Sequence, residues 1–130
     1  MNTISDWMAL IASAGILCLA VFQILLAVGR PYGAAAFGGT HTVLPPRLRL
    51  ASAVSSVLFF GALVVVLVRA GLFGVAGKST FVSVITWIFV AVFGLSAIAN
   101  IASRSRWERY LMAPIAVVLA TSCAVLSLLQ

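Results

Sequence analysis

Negative charge is almost absent from this chain. Of 130 residues only two, Asp6 and Glu108, are acidic, and charged residues of both signs make up 8%. A soluble domain carries about a quarter. There is one histidine, His41, and there are two cysteines, Cys18 and Cys123. These shortages exclude several chemistries. Paired carboxylates for acid–base work, a Cys/His dyad and a phosphate-binding loop are all missing. A lone histidine with no second ligand at metal spacing is a poor metal site. No metal and no cofactor is expected, and no enzyme of known chemistry is supported. Ion-coupled transport usually relies on a carboxylate inside the membrane. Asp6 and Glu108 both fall at the edges of apolar runs.

What the chain does have is apolar surface. Hydrophobic residues make up 64%, and the mean hydropathy is +1.25. Four membrane spans of about 20 residues use roughly 80 positions, which fits this composition with little left over. A water-soluble domain of this size has no way to hide so much apolar surface. Disorder and nucleic-acid binding are excluded as main business. Four runs are long enough to cross the bilayer: 7–29, 50–69, 80–103 and 107–130. Each must be helical, because lipid offers the backbone no partners. The expected fold is all-α: a polytopic membrane protein, one transmembrane domain over 1–130, forming an antiparallel four-transmembrane-helix bundle. The first six residues carry no Lys or Arg, so the first run is expected to remain a span rather than act as a cleaved signal.

Basic residues set the expected orientation. Arg30, Arg47 and Arg49 lie between the first two runs, and Arg104, Arg106 and Arg109 lie between the last two. The middle connection holds Lys78, with Arg69 at its edge. The positive-inside rule places the two arginine-rich connections in the cytoplasm and both termini outside, in a bacterial inner membrane. The net charge of +6 then reads as orientation, with anionic lipid head groups as natural partners. Nucleic acid is not expected as a partner.

Helices in lipid approach closely through small residues. The last run has such a stripe: Ala113, Ala116, Ala120, Ala124 and Ser127. The first has Ser13, Ala20 and Ala27, the second Ser52 and Ser56 with Gly61 off register, and the third Gly94 and Ala97. Pro114 is expected to bend the last helix or mark its late start. Cys18 and Cys123 are about 6 Å apart in depth at 1.5 Å per residue. They are expected to be packing residues rather than a disulfide.

The segment 29–47 is the most unusual part of the chain. Its prolines and glycines forbid a long helix, yet Tyr32, Phe37, Val43 and Leu44 are too apolar for a solvated linker. Either it is an interfacial connector, or it is a lid over a pocket. His41 sits in it and is expected to hydrogen-bond loop backbone. Arg104 and Glu108 are four apart and suited to an ion pair on a helix. Gln23 and Asn100 fall at similar depths in the inner part of the bilayer, where buried amides need partners. Either they line one pocket, if the first and third helices face each other, or they make an interhelical hydrogen bond that only holds the bundle together. Candidate ligand-binding residues are therefore Gln23, His41, Arg47, Arg49, Asn100 and Arg104. The arginines point to an anionic group or a lipid head group.

Gly-Arg-Pro-Tyr-Gly (29–33), Gly-Gly-Thr-His (38–41), Leu-Pro-Pro-Arg-Leu-Arg (44–49) and Asn-Ile-Ala-Ser-Arg-Ser-Arg-Trp-Glu-Arg (100–109) resemble a group of small, uncharacterised four-helix bacterial integral membrane proteins. The resemblance covers most of the chain. It implies that the two segments belong together, and it carries no activity. The chain is similar in size to small multidrug exporters but has no acidic residue in its first span. Two functions are expected to compete. One is binding or transport of a small solute or lipid at a polar, arginine-rich cytoplasmic site, in a homo-oligomer if it conducts. The other is a non-catalytic accessory or assembly subunit of a larger membrane complex. A lipid-modifying enzyme with His41 as base ranks below both.

Overall fold

The computed structural model describes residues 3–71 and 79–129. Lys78 and Gln130 lie outside the described residues. Four helices carry the chain: α1 (Thr3–Ala27), α2 (Pro46–Arg69), α3 (Thr80–Ile101) and α4 (Ala113–Leu129). A π-helical turn, Glu108–Met112, leads into α4. With that turn included, every helix is long and apolar enough to cross a membrane. The fold is an all-α four-helix bundle. α1 packs on α2 and α4, and α3 packs on α4 and α2. Helices consecutive in sequence are thus neighbours around a ring.

The helix ends follow local chemistry. α1 stops at a Schellman motif. Arg30 N–H donates to Leu25 O at 3.0 Å and Gly29 N–H to Leu26 O at 3.1 Å. Gly29 sits at φ +92°, where a side chain would be strained. α2 begins at Pro46, four residues before the apolar run suggests, because proline suits the first helical turn, where the N–H has no intrahelical partner. The Ser79 side chain caps α3, accepting from Val82 N–H at 3.2 Å. The Ala113 N–H bonds to Glu108 O, five residues back. This wide turn comes immediately before Pro114, whose ring crowds an ordinary α-turn.

The bundle is apolar outside and has hydroxyls within. Leu50, Val57, Phe81, Leu95, Ile98 and Leu128 are among the large side chains that are more than half exposed. Ser52, Ser56, Thr86, Ser122 and Ser127 are buried. A water-soluble bundle shows the reverse. Ser56 and Thr86 turn their hydroxyls back to their own helices, donating to Ala53 O at 2.7 Å and Val82 O at 2.8 Å.

Small residues do set the packing. On α4, Ala113, Ala116 and Ser127 are buried, together with Leu119, Cys123 and Leu126. On α1, Ser5, Ala9, Ala12, Ile16 and Ala20 are buried, and Ser13 and Ala27 are half-buried, with the Ser13 hydroxyl enclosed. Gly15 admits the tip of Leu119, since a Cβ there would lie 2.7 Å from Leu119 Cδ2. Ser52 and Ser56 are buried on α2, whereas Gly61 is exposed. Phe93 of α3 stacks with Phe59 of α2 and with Phe89, at ring-centroid distances of 6.2 and 6.1 Å. Cys18 is exposed and Cys123 buried, and both are free thiols.

Candidate functional site

The connection between α1 and α2 is a folded cap. Gly33 N–H donates to Thr42 O at 2.8 Å, closing the segment on itself. A Cβ on Gly33 would fall on the His41 carbonyl oxygen, so the closure needs glycine. Two short 3-10 turns follow, Gly33–Ala35 and Phe37–Gly39. Ala36 and Leu44 are buried with Leu26, flanked by Phe22 and Leu48. Ala36 and Leu44 therefore seat the loop on the bundle, whereas Tyr32, Phe37 and Val43 are exposed. Phe37 has φ +50°, which is unique to it among the described non-glycine residues. Such a conformation costs on the order of 1 kcal/mol. It lets Gly38 follow at φ +78° with its N–H turned toward α4.

That N–H meets Glu108. Gly38 N donates to Glu108 Oε1 at 2.6 Å, and Ser103 Oγ donates to the same oxygen at 3.2 Å. Ser105 Oγ donates to Ala34 O through a very short contact. A Cβ on Gly39 would lie 2.9 Å from Ser105 Cβ. The cap is thus latched to the junction between α3 and α4 at two points. Glu108 is buried, at 8% exposure, while Arg104 is exposed. The Arg104–Glu108 pair suggested by their spacing does not form: among the described residues Glu108 makes no ion pair. The reason is local. Ser105 caps the helix, accepting from Glu108 N–H at 3.4 Å, and Arg109 N–H bonds to Ser105 O at 3.0 Å. Ser105 and Glu108 have capping-box spacing, which turns the carboxylate back over the helix start instead of outward. The box is modified, since Ser103 Oγ takes the Ser105 N–H at 3.1 Å. This frees the Glu108 side chain for the loop.

Beneath the cap lies a cavity of about 250 Å³. All four helices wall it. Phe22 and Gln23 come from α1, Ser55 and Phe59 from α2, Phe93, Ser96 and Asn100 from α3, and Ala116 from α4. Ala35, Ala36 and Phe37 of the cap close it, with Glu108 and Met112 at the side. The lining is aromatic, with a few polar groups. Gln23 Oε1 is buried and has no hydrogen-bond partner among the described residues. Asn100 Nδ2 donates to Ser96 Oγ at a long 3.4 Å. Buried polar groups are rarely left so poorly satisfied, and a roomy polar cavity can offer them a ligand or water.

The six candidate residues separate sharply. Gln23 and Asn100 meet in this one cavity. The other four do not line it. Arg49 donates from Nε to Ala27 O at 2.9 Å, capping the end of α1 where the helix dipole is negative. His41 is exposed, its Nδ1 3.0 Å from Thr40 Oγ1. Arg47 and Arg104 are exposed. Glu108, Ser96 and Ser55 also line the cavity, and spacing arguments do not single them out. For Glu108 the available signal was Ser105-Arg106-Trp107-Glu108. Ser55 and Ser96 carry no sequence signal that distinguishes them from packing hydroxyls. A second, mostly apolar groove of about 500 Å³ opens beside the cap, between Phe22, Leu25, Tyr32, Trp107 and Leu111.

No protein-family model matches the chain, and neither does any curated protein or solved structure.

Proposed function

We propose that this is a multi-pass protein of a bacterial inner membrane that binds or moves a small solute or lipid-derived molecule through the capped cavity. One observation carries the reading. The cavity sits between four apolar helices, yet holds an unpartnered amide oxygen on Gln23 beside Asn100, Ser96 and Ser55. A packed bundle core has no need of such a void. Mostly apolar walls with a few convergent polar groups are the usual character of a small-molecule site. In this reading the cap is a lid, and the arginine-rich end faces the cytoplasm with both termini outside. Arg30, Arg47, Arg104, Arg106 and Arg109, all exposed, meet anionic head groups rather than the bound molecule.

Mass spectrometry of small molecules released from protein purified in mild detergent tests this. A molecule is expected to accompany the wild type and to be lost from Ala116→Leu and from Ser96→Leu, which fill the cavity from different helices. A wild type that releases nothing beyond what these folded variants release would overturn the reading.

A second reading, an accessory subunit, draws on the apolar groove lined by Tyr32, Trp107 and Leu111, a shape that suits a neighbouring helix. Crosslinking from Leu111 in native membranes is expected to recover a membrane partner if it holds, and lipid alone if it does not.

A further inference from the structure

Glu108 is a buried carboxylate in a chain of net charge +6, and no cation pairs with it among the described residues. Arginines lie on both sides of it in sequence, at 104, 106 and 109, and all three are exposed. Among the described residues it makes no ion pair, and no Arg or Lys lines the cavity that it borders. Burying a carboxylate without a counter-charge is costly. The helix start and the Gly38 N–H offset part of that cost. The two hydrogen bonds that Glu108 accepts both fall on Oε1. Oε2 accepts none from the described residues, although a carboxylate has about four acceptor positions. Oε1 is thus committed to the latch, and Oε2 is left over on a residue that lines the cavity.

The rest of the wall suits the missing charge. Phe22, Phe37, Phe59 and Phe93 line the cavity, and aromatic faces attract cations. Gln23 offers an unpartnered oxygen. Asn100, Ser55 and Ser96 are neutral and able to accept. Building on the cavity as the binding site, we propose that its ligand is a small organic ammonium ion. Its cationic head would donate to Glu108 Oε2, and its apolar body would lie among the phenylalanines. This departs from the anionic ligand that the arginine count suggests. It also explains why the arginines stay outside: any of them within reach of Oε2 would occupy the ligand's place.

Three probes of one size and different charge test the proposal: benzylamine, protonated at pH 7, neutral benzyl alcohol, and benzoate. Binding is measured calorimetrically to the full chain in a zwitterionic nanodisc. The wild type is expected to prefer benzylamine to benzyl alcohol by about tenfold or more, the scale of one charge-assisted hydrogen bond. Glu108→Gln keeps an acceptor for Gly38 and is expected to remove that preference while retaining benzyl alcohol. Non-specific attraction to a protein of charge +6 works the other way and favours benzoate. If both neutral and charged probes bind equally, and Ala116→Leu weakens both, the cavity remains a binding site and the ammonium proposal falls. A benzylamine preference that survives in Glu108→Gln also overturns it, as does absence of benzylamine binding. Gln23→Leu, which leaves the latch intact, is expected to weaken all three probes without abolishing the charge preference.

Discussion

The backbone N–H of Gly38 donates to the carboxylate of Glu108 at 2.6 Å, across seventy positions of chain. It ties the loop after α1 to the start of α4 and makes that loop the roof of a cavity. Removing the acceptor tests how much the roof depends on it. A hydrogen bond to a charged group contributes about 1.5–3 kcal/mol. Glu108→Ala is expected to lose stability on that scale in detergent unfolding, and to speed hydrogen exchange at Gly38. Glu108→Gln keeps an oxygen at the site and is expected to lose less.

Two glycines of the cap separate close approach from backbone conformation. A Cβ on Gly33 collides with the His41 carbonyl, whereas a Cβ on Gly38 meets nothing within 4 Å. Gly33→Ala is expected to break the closure of the loop and expose it to limited proteolysis. Gly38→Ala carries only the cost of its positive φ, on the order of 1 kcal/mol, and is expected to leave the loop protected.

Arg47 and Arg49 are two residues apart and differ in role. Arg49 caps α1 through Ala27 O, while Arg47 is exposed. Arg49→Ala is expected to cost about 1 kcal/mol, given its partial exposure. Arg47→Ala is expected to leave the unfolding midpoint unchanged. Equal effects in a denaturant titration would contradict the assignment.

The sequence was most legible where the solvent decides the structure. Apolar runs of bilayer length gave four helices, because a chain in lipid has few alternatives. The depth of Gln23 and Asn100, counted from the same end, brought both to one cavity. Arg47, Arg49 and Arg104 do not line that cavity, because a count of charges does not say which way a side chain turns. Arg47 and Arg104 are free to leave for water, and Arg49 finds an orphan carbonyl closer than the cavity. The spacing of Arg104 and Glu108 suits an ion pair on a helix surface. The capping position of Glu108 at a helix start was the stronger local instruction. On α1, Gly15 makes room for Leu119 of the facing α4, a contact that small-residue spacing does not reveal.

That last contact is testable. In Gly15→Ala the new Cβ presses on Leu119 Cδ2 at 2.7 Å. Leu119 is fully buried, so relief requires repacking, at about 1–3 kcal/mol. Gly61→Ala meets nothing within 4 Å and is expected to be neutral or slightly stabilising. The pair, compared by unfolding in mixed micelles, distinguishes an α1–α4 contact from a general intolerance of larger side chains.

The central claim is that the polar pocket beneath the cap is an open site rather than a sealed void. The direct measurement is thiol reactivity at Ser96 in membranes, in a background with Cys18 and Cys123 replaced by alanine. Ser96→Cys is expected to react with a small cationic methanethiosulfonate reagent, and to do so far faster than Ile98→Cys on the apolar exterior. The cavity-filling Ala116→Leu is expected to slow that reaction. A Ser96→Cys thiol as inert as the one at position 98 would contradict the account.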